Sequence, residues 1–186
     1  GHIASVSKVA AAFAPLSNMI MNSDINKWAL DYFIGIDKRR NMPKFAHETF
    51  EAWFYARPKP TVEHDASTVV FYPDTFVNYN EPALGIATVE VLEKAGYRVI
   101  LAEPRRCCGR PFISKGMLKE ARAAAAFNIE HLSVYAERGW PIVGCEPSCL
   151  LSFRDDYLEL VDDKRAQKVA EHVFLIDEFL VRENEA

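Results

Sequence analysis

The hydrophobic pattern changes character near residue 67. Before it, apolar residues recur at helical spacing: Val6, Val9, Ala10 and Phe13, then Leu16, Met19 and Ile20, with Pro15 predicted to kink or end the first piece. Asn22-Ser23-Asp24 offers an N-cap for a second helix over Ile25 to Phe33, which Gly35 stops. Lys38-Arg39-Arg40 reads as a solvated basic turn, and His47 to Phe54 as a third helical stretch with an aromatic face for packing. Arg57-Pro58-Lys59-Pro60 has a restricted backbone and marks a linker. The pattern divides the chain into a helical arm and linker over 1–60 and a main domain over 61–186.

In the main domain, short continuous apolar runs alternate with amphipathic stretches. Thr68 to Tyr72, Tyr97 to Leu101, Pro141 to Gly144 and Val173 to Ile176 read as buried strands. Between them, Pro82 to Ala95 reads as a helix with Leu84, Thr88, Val91, Leu92 and Ala95 on one face and Gly96 as its stop. A long helix is expected over Leu118 to Glu137, another from Pro147 or Ser148, one over Lys164 to Glu171, and a last turn or two over Asp177 to Arg182. Strand, helix, strand in this succession predicts an α/β fold: a parallel sheet with flanking helices, built from right-handed, Rossmann-like βαβ units.

Size and composition fit this reading. The chain has 186 residues, 49% of them hydrophobic and 26% charged, as expected of a globular fold with a real core. Its net charge of −4 gives no reason to expect nucleic acid or an anionic lipid surface as partner. There is no apolar run of about 18 residues and no secretory leader pattern, so a cytoplasmic protein without a transmembrane segment is expected. The chain opens on Gly1 rather than methionine, which fits a piece excised from a longer polypeptide or a remnant ahead of a native start.

The chemistry concentrates in the four cysteines. Cys107 and Cys108 are adjacent, followed by Gly109 and flanked by Arg105, Arg106 and Arg110; Cys145 and Cys149 close a second group, Gly144-Cys145-Glu146-Pro147-Ser148-Cys149. Four cysteines are too few for a disulfide-stapled secreted scaffold, and clustered thiols in a reducing compartment point to metal, cluster or redox chemistry. A parallel sheet delivers the segments after its strands to one edge, which would bring together Asp74, the double cysteine and the closing pair. Neighbouring side chains diverge, so Cys107 and Cys108 do not easily chelate one ion symmetrically; they can contact different irons of a polynuclear cluster, or one can bind while the other supports it. Thiolates near a helix start bind metal more readily, and the arginines would offset their charge. Structural zinc on four thiolates, a thiol–disulfide catalyst and plain buried cysteines remain alternatives. Neither Gly-x-Gly-x-x-Gly nor a compact ferredoxin-type cysteine run is present.

At these residues the chain resembles the cysteine-rich CCG domain family, whose pattern is a single Cys, a thirty-odd residue stretch, Cys-Cys-Gly, a similar stretch and a closing Cys-x2-Cys. That family includes the cysteine-rich subunit of heterodisulfide reductase and the iron–sulfur subunits of glycolate oxidase and anaerobic glycerol-3-phosphate dehydrogenase. The flanks Phe71 to Tyr79, Cys107 to Pro111 and Gly144 to Cys149, with Gly35 to Arg40 in the arm, are similar to the C-terminal part of FAD-linked D-2-hydroxyacid (D-lactate-type) oxidases. The resemblance implies an electron-transfer module, not catalytically complete by itself, with a cluster of the [4Fe–4S] type on Cys107, Cys108, Cys145 and Cys149. FAD and ferredoxin-type clusters would lie in upstream domains or subunits, and a quinone or carrier would accept the electrons. Partners would hold the module peripheral to the inner face of the membrane. Zinc, or loss of the cluster, is the expectation for an isolated fragment handled in air. This sequence departs from the pattern twice. Asp74 stands where the solitary Cys is expected, with 32 residues (75–106) between it and Cys107, and the closing pair is Cys-x3-Cys. Asp74 is therefore either an unusual fifth, oxygen ligand or an N-cap or turn residue ahead of the helix near Pro82. Asn78 and Tyr79 are candidates for lining a small-molecule or quinone pocket, and Glu146 is either a hydrogen-bond partner of the closing pair or simply exposed.

Overall fold

The computed structural model describes residues 3–58 and 67–185, so Lys59 and Pro60 of the linker lie outside the described residues. Four parallel strands form the centre: β1 (Thr68–Phe71), β2 (Arg98–Leu101), β3 (Ile142–Gly144) and β4 (Val173–Leu175), in the order β2-β1-β3-β4. Register is tight, with Val70 opposite both Ile100 and Ile142, and Val143 opposite Phe174. The chain leaves β1 in one direction and returns through β3 in the other, so the switch point lies between β1 and β3. Ligand crevices of open parallel sheets form there, beyond the strands' carboxyl ends.

Strand periodicity decides which side chain faces which layer. Val70 and Tyr72 face one side with Ile142 and Val173, packed by Ala125, Ile129 and Leu132 of α8 (Leu118–Glu137) and by Leu150 and Phe153 of α9 (Pro147–Arg154). Tyr157 of α10 (Asp156–Leu160) and Val169 of α11 (Arg165–Ala170) complete that face. Val69 and Phe71 face the other side with Val99, Leu101 and Val143. Phe50 of α4 (Phe50–Ala56), Val89 and Leu92 of α6 (Pro82–Lys94) and Phe179 of α12 (Ile176–Glu185) cover them. Each fully buried Val, Leu or Phe contributes about 1.5–3 kcal/mol, which makes these two layers the main source of stability.

Two local results differ from the sequence pattern. In α6 the buried stripe is Gly85, Thr88, Val89 and Leu92, while Leu84 and Val91 are about half exposed. Gly85 explains the rotation: a Cβ there would meet the Phe50 ring at 2.6 Å and Val77 at 2.7 Å, so the bare backbone is what lets α4 pack flush on α6. The aromatic stretch predicted from His47 begins as a helix only at Phe50, behind an N-cap in which Thr49 accepts a hydrogen bond from the Ala52 N–H. Arg57 then clamps α4 to α6 through two hydrogen bonds to Glu93, at 2.8 and 2.7 Å.

The arm consists of α1 (Ile3–Ala12), α2 (Ala14–Met21) and α3 (Asp24–Ile34). Pro15 lies in the first turn of α2, and the first two helices bend by 113°. Ser23 caps α3 and Gly35 ends it in the left-handed conformation. Among the described residues no single helix is long and apolar enough to cross a membrane. Large apolar side chains of the arm, including Phe13, Met19, Ile25, Trp28, Tyr32 and Phe33, are more than half exposed. The basic turn is held by Asp37, which accepts hydrogen bonds from Arg39, and Asn18 ties the following loop to α2 through Phe45.

Candidate functional site

The three sequence segments meet beyond the carboxyl ends of β1, β2 and β3. Asp74 follows β1 and caps α5 (Thr75–Tyr79); its Oδ1 accepts from the N–H groups of Phe76 at 2.7 Å and Val77 at 3.2 Å. Its Oδ2 is buried without a partner, the one such side-chain oxygen or nitrogen among the described residues. The double cysteine follows β2 and precedes Gly109, whose φ of +87° opens the short helix α7 (Arg110–Ile113). Cys145 follows β3 directly, and Cys149 sits in the first turn of α9.

Cys108 touches two of the other cysteines. Cys108 donates to Cys149 with the sulfurs 3.0 Å apart, and Cys107 is hydrogen-bonded to Cys108 and to Thr75. All three belong to the face packed by α8 and α9. Cys145 belongs to the opposite face, 3.0 Å from the Thr88 hydroxyl, where Asp74 and Glu146 disfavour its ionisation. The sulfurs are thus shared between two sides of the β3 terminus, Cys107, Cys108 and Cys149 on one and Cys145 on the other, while Asp74 shares a cleft wall with Cys107. Among the described residues no three His, Cys, Asp or Glu side chains gather closely enough to hold a metal ion as they stand. All four cysteines are free thiols.

Burial and mutual contact hold Cys107 and Cys108 in their protonated form, and burial does the same for Cys145. Cys107 is driven far above the free-cysteine range, by its hydrogen bond to Cys108 and by burial. The Cys107 contact pulls Cys108 down, but Cys149 and burial outweigh it and push Cys108 up to about 12. Burial also raises Cys145 against the opposing pull of Thr88. A metal binding here displaces protons. The donor set fits an iron–sulfur cluster in its chemistry: four soft sulfurs at one sheet edge, with a buried carboxylate oxygen that no protein donor satisfies.

The double-cysteine loop is fastened by residues that the sequence pattern did not single out. Asn128 of α8 is fully buried; its Oδ1 accepts from the Arg106 N–H at 2.8 Å, and its Nδ2 donates to the carbonyls of Arg106 and Cys107 and to the Tyr157 hydroxyl. Tyr157 in turn donates to the Cys108 carbonyl, and Tyr72 to the Arg106 carbonyl. The flanking arginines are engaged elsewhere: Arg105 pairs with Glu51 at 2.6 Å and donates to the Pro73 carbonyl, Arg106 lies 4.0 Å over the Phe127 ring, and Arg110 pairs with Asp156. Two of the three charges expected to offset thiolates are therefore matched by carboxylates. Glu146 caps α9 by accepting from Ser148. A cleft of 790 Å³ opens beside the trio, lined by Asp74, Thr75, Asn78, Tyr79, Arg105 and Cys107, with α1 as its outer wall. Asn78 is already bound on both amide atoms to Glu51. His131 and His172 bond to carbonyls of their own helical turns.

Asp74 gives a signed pH prediction. Burial, the largest cause, raises its pKa, with N–H donors of Val77 and Phe76 in partial opposition and Glu146 adding repulsion. The unfolded chain titrates near 3.9. The folded carboxyl holds its proton more tightly, so ionised Asp74 costs stability above its folded pKa and nothing below the unfolded one. Asp74→Asn keeps an oxygen for both N–H groups and leaves an uncharged amide, which is cheaper to bury. Urea titrations should find the iron-free variant about 1 kcal/mol more stable than wild type at pH 7. That gap should close as the pH falls towards about 4; a gap independent of pH would contradict the assignment.

Comparison with known proteins meets this geometry. Residues 68–154, from β1 to the end of α9, match the family model described as the cysteine-rich CCG domain; this region is a cysteine-rich domain of that type. Over nearly the whole chain it is similar to the C subunit of the anaerobic glycerol-3-phosphate dehydrogenase of Escherichia coli K12, 31% identical over 184 residues, which is 97% of this chain and 46% of that protein. It is also 32% identical over 117 residues, 61% of this chain, to 47% of lactate utilization protein A of Bacillus thuringiensis strain Al Hakam. Lactate utilization protein A 2 of Bacillus mycoides matches to the same extent. The chain thus spans about half the length of these curated relatives. No solved structure gives a significant match.

Proposed function

We propose that this chain is the electron-transfer part of a flavin-linked dehydrogenase of 2-hydroxy acids. Cys107, Cys108, Cys145 and Cys149 hold an iron–sulfur cluster, and the free oxygen of Asp74 is an additional ligand. The observation that carries the reading is the division of the sulfurs around the end of β3, Cys107, Cys108 and Cys149 on one face and Cys145 on the other, with Asp74 at the same edge. A single zinc ion asks four donors to point at one centre; donors spread over a sheet edge suit a polynuclear group. When bound, such a cluster supplies one-electron redox chemistry. The chain's own part is to fix the sulfurs: Asn128 and Tyr157 hold the double-cysteine loop in place.

The relatives' names support the coarser part, since one belongs to a dehydrogenase and the other is named for lactate use. On this reading the chain divides into an arm and linker over 1–60 and a cysteine-rich domain over 61–186. The exposed apolar face of α1 to α3 is where upstream flavin or ferredoxin-type domains would pack. The cleft beside Cys107, with Tyr79 on its wall, would admit the electron acceptor, a quinone or a carrier. The setting is cytoplasmic, peripheral to the membrane through those partners. Oxidation of the hydroxy acid itself belongs to the flavin-bearing part. Protein purified without oxygen should be brown, with broad visible absorption that bleaches on adding dithionite. A colourless protein with four intact thiols would overturn the proposal.

A further inference from the structure

The sulfurs of Cys108 and Cys149 approach to 3.0 Å, about 1 Å longer than a disulfide bond of about 2.05 Å. Both are buried, and both backbones are held in place. The Cys108 carbonyl accepts from Tyr157, the following Gly109 turns the chain at positive φ, and the Cys149 N–H is bonded to the Glu146 carbonyl in the first turn of α9. The other two thiols are poorly placed to compete. Cys107 is the sequence neighbour of Cys108, so joining those two would close a strained ring across one peptide bond. Cys145 faces Thr88 across the sheet.

We propose that in the iron-free protein Cys108 and Cys149 form a reversible disulfide, with hydrogen peroxide as the oxidant, and that this bond closes the site to metal until it is reduced. The cleft leads to Cys107, one residue from Cys108, and peroxide is small enough to pass where a peptide disulfide is not. A buried thiol ionises rarely, so the step needs excess peroxide: the sulfur that loses its proton takes one oxygen to become a sulfenic acid, and the displaced hydroxide takes up that proton as one water. The second sulfur attacks the first, the S–O bond breaks, the S–S bond forms, and the second water leaves with the remaining thiol proton. Two thiols lose two electrons, and one peroxide is reduced to two waters. The pairing stands on the geometry alone; only its consequence for loading rests on the cluster reading above.

The test uses the full iron-free chain, treated or not with hydrogen peroxide, then alkylated and digested without reductant for mass spectrometry. Untreated protein should show four alkylated cysteines. Treated protein should show Cys107 and Cys145 alkylated and one peptide pair joined through Cys108 and Cys149, with dithiothreitol restoring all four. Four alkylated cysteines after treatment, a bridge through Cys107 or Cys145, or a sulfinic acid on Cys107 without a bridge would each overturn the pairing. A second arm offers iron and sulfide to both forms. The bridged form should load about tenfold less than the reduced form and recover on reduction; equal loading would overturn the closure. A bridge in a protein whose reduced form takes no iron would sink the cluster reading and leave the disulfide. Loading without a bridge would do the reverse.

Discussion

Cys108→Ser is expected to lower the iron bound per chain about tenfold or more while leaving the fold intact. Cys108 is 2% exposed, the centre of the trio, in contact with Cys107 on one side and Cys149 on the other. A serine hydroxyl is a hard donor with a much higher pKa and does not replace a soft thiolate on iron. The same hydroxyl is slightly smaller than the thiol and retains a hydrogen-bonding contact with Cys149, and the Tyr157 bond is to the Cys108 backbone, which the change does not touch. The melting temperature of the iron-free variant should therefore stay within a few degrees of wild type. Iron measured after anaerobic purification, with circular dichroism as the control, decides the matter: a Cys108→Ser protein with wild-type iron would remove Cys108 from the ligand set.

Asn128→Ala is expected to cost about 3 kcal/mol, because it strands several buried polar groups at once. The Arg106 N–H loses its acceptor, the carbonyls of Arg106 and Cys107 lose a donor, and the Tyr157 hydroxyl loses the amide that donates to it. For a chain of this size that is a fall in melting temperature of about 6–12 °C. The double-cysteine loop should loosen with it, so Cys107 and Cys108 should alkylate faster than in wild type under native conditions. Asn128→Asp retains the acceptor for Arg106 and loses both donors while burying a charge, so it should do no better. A stable Asn128→Ala variant with unchanged alkylation rates would show that Tyr72 and Tyr157 hold the loop without the amide.

The strands were legible in the sequence because each is a short run of β-branched and aromatic residues bounded by turn formers, as in Thr68-Val69-Val70-Phe71 ending at Pro73. The parallel arrangement followed from the helices between them. The edge position of Asp74, Cys107 and Cys145 followed from that topology, but Asp74 caps α5 rather than the helix near Pro82, α5 being too short to leave a periodic signal. The separation of Cys145 from the other three was not legible. It depends on which face residue 145 inherits from the alternation along β3, where Ile142 and Val143 already lie on opposite sides, and on Thr88 receiving its sulfur. Asn128 was hidden for a related reason. One amide in an alanine-rich helix looks like any surface polar residue until the helix is docked and the side chain points inward at the loop. The stripe of α6 was misplaced because Leu84 and Val91 look like core residues, while the residue that sets the packing is Gly85, which has no side chain to reveal it.

Whether the cysteines at this sheet edge hold a polynuclear iron–sulfur group is tested most directly by measuring iron, acid-labile sulfide and zinc together on anaerobically purified protein. Electron paramagnetic resonance on the dithionite-reduced sample completes the measurement. Several irons per chain are expected, with sulfide in matching amount and a paramagnetic signal on reduction that changes in Asp74→Ala. About one zinc per chain with neither iron nor sulfide would contradict the cluster.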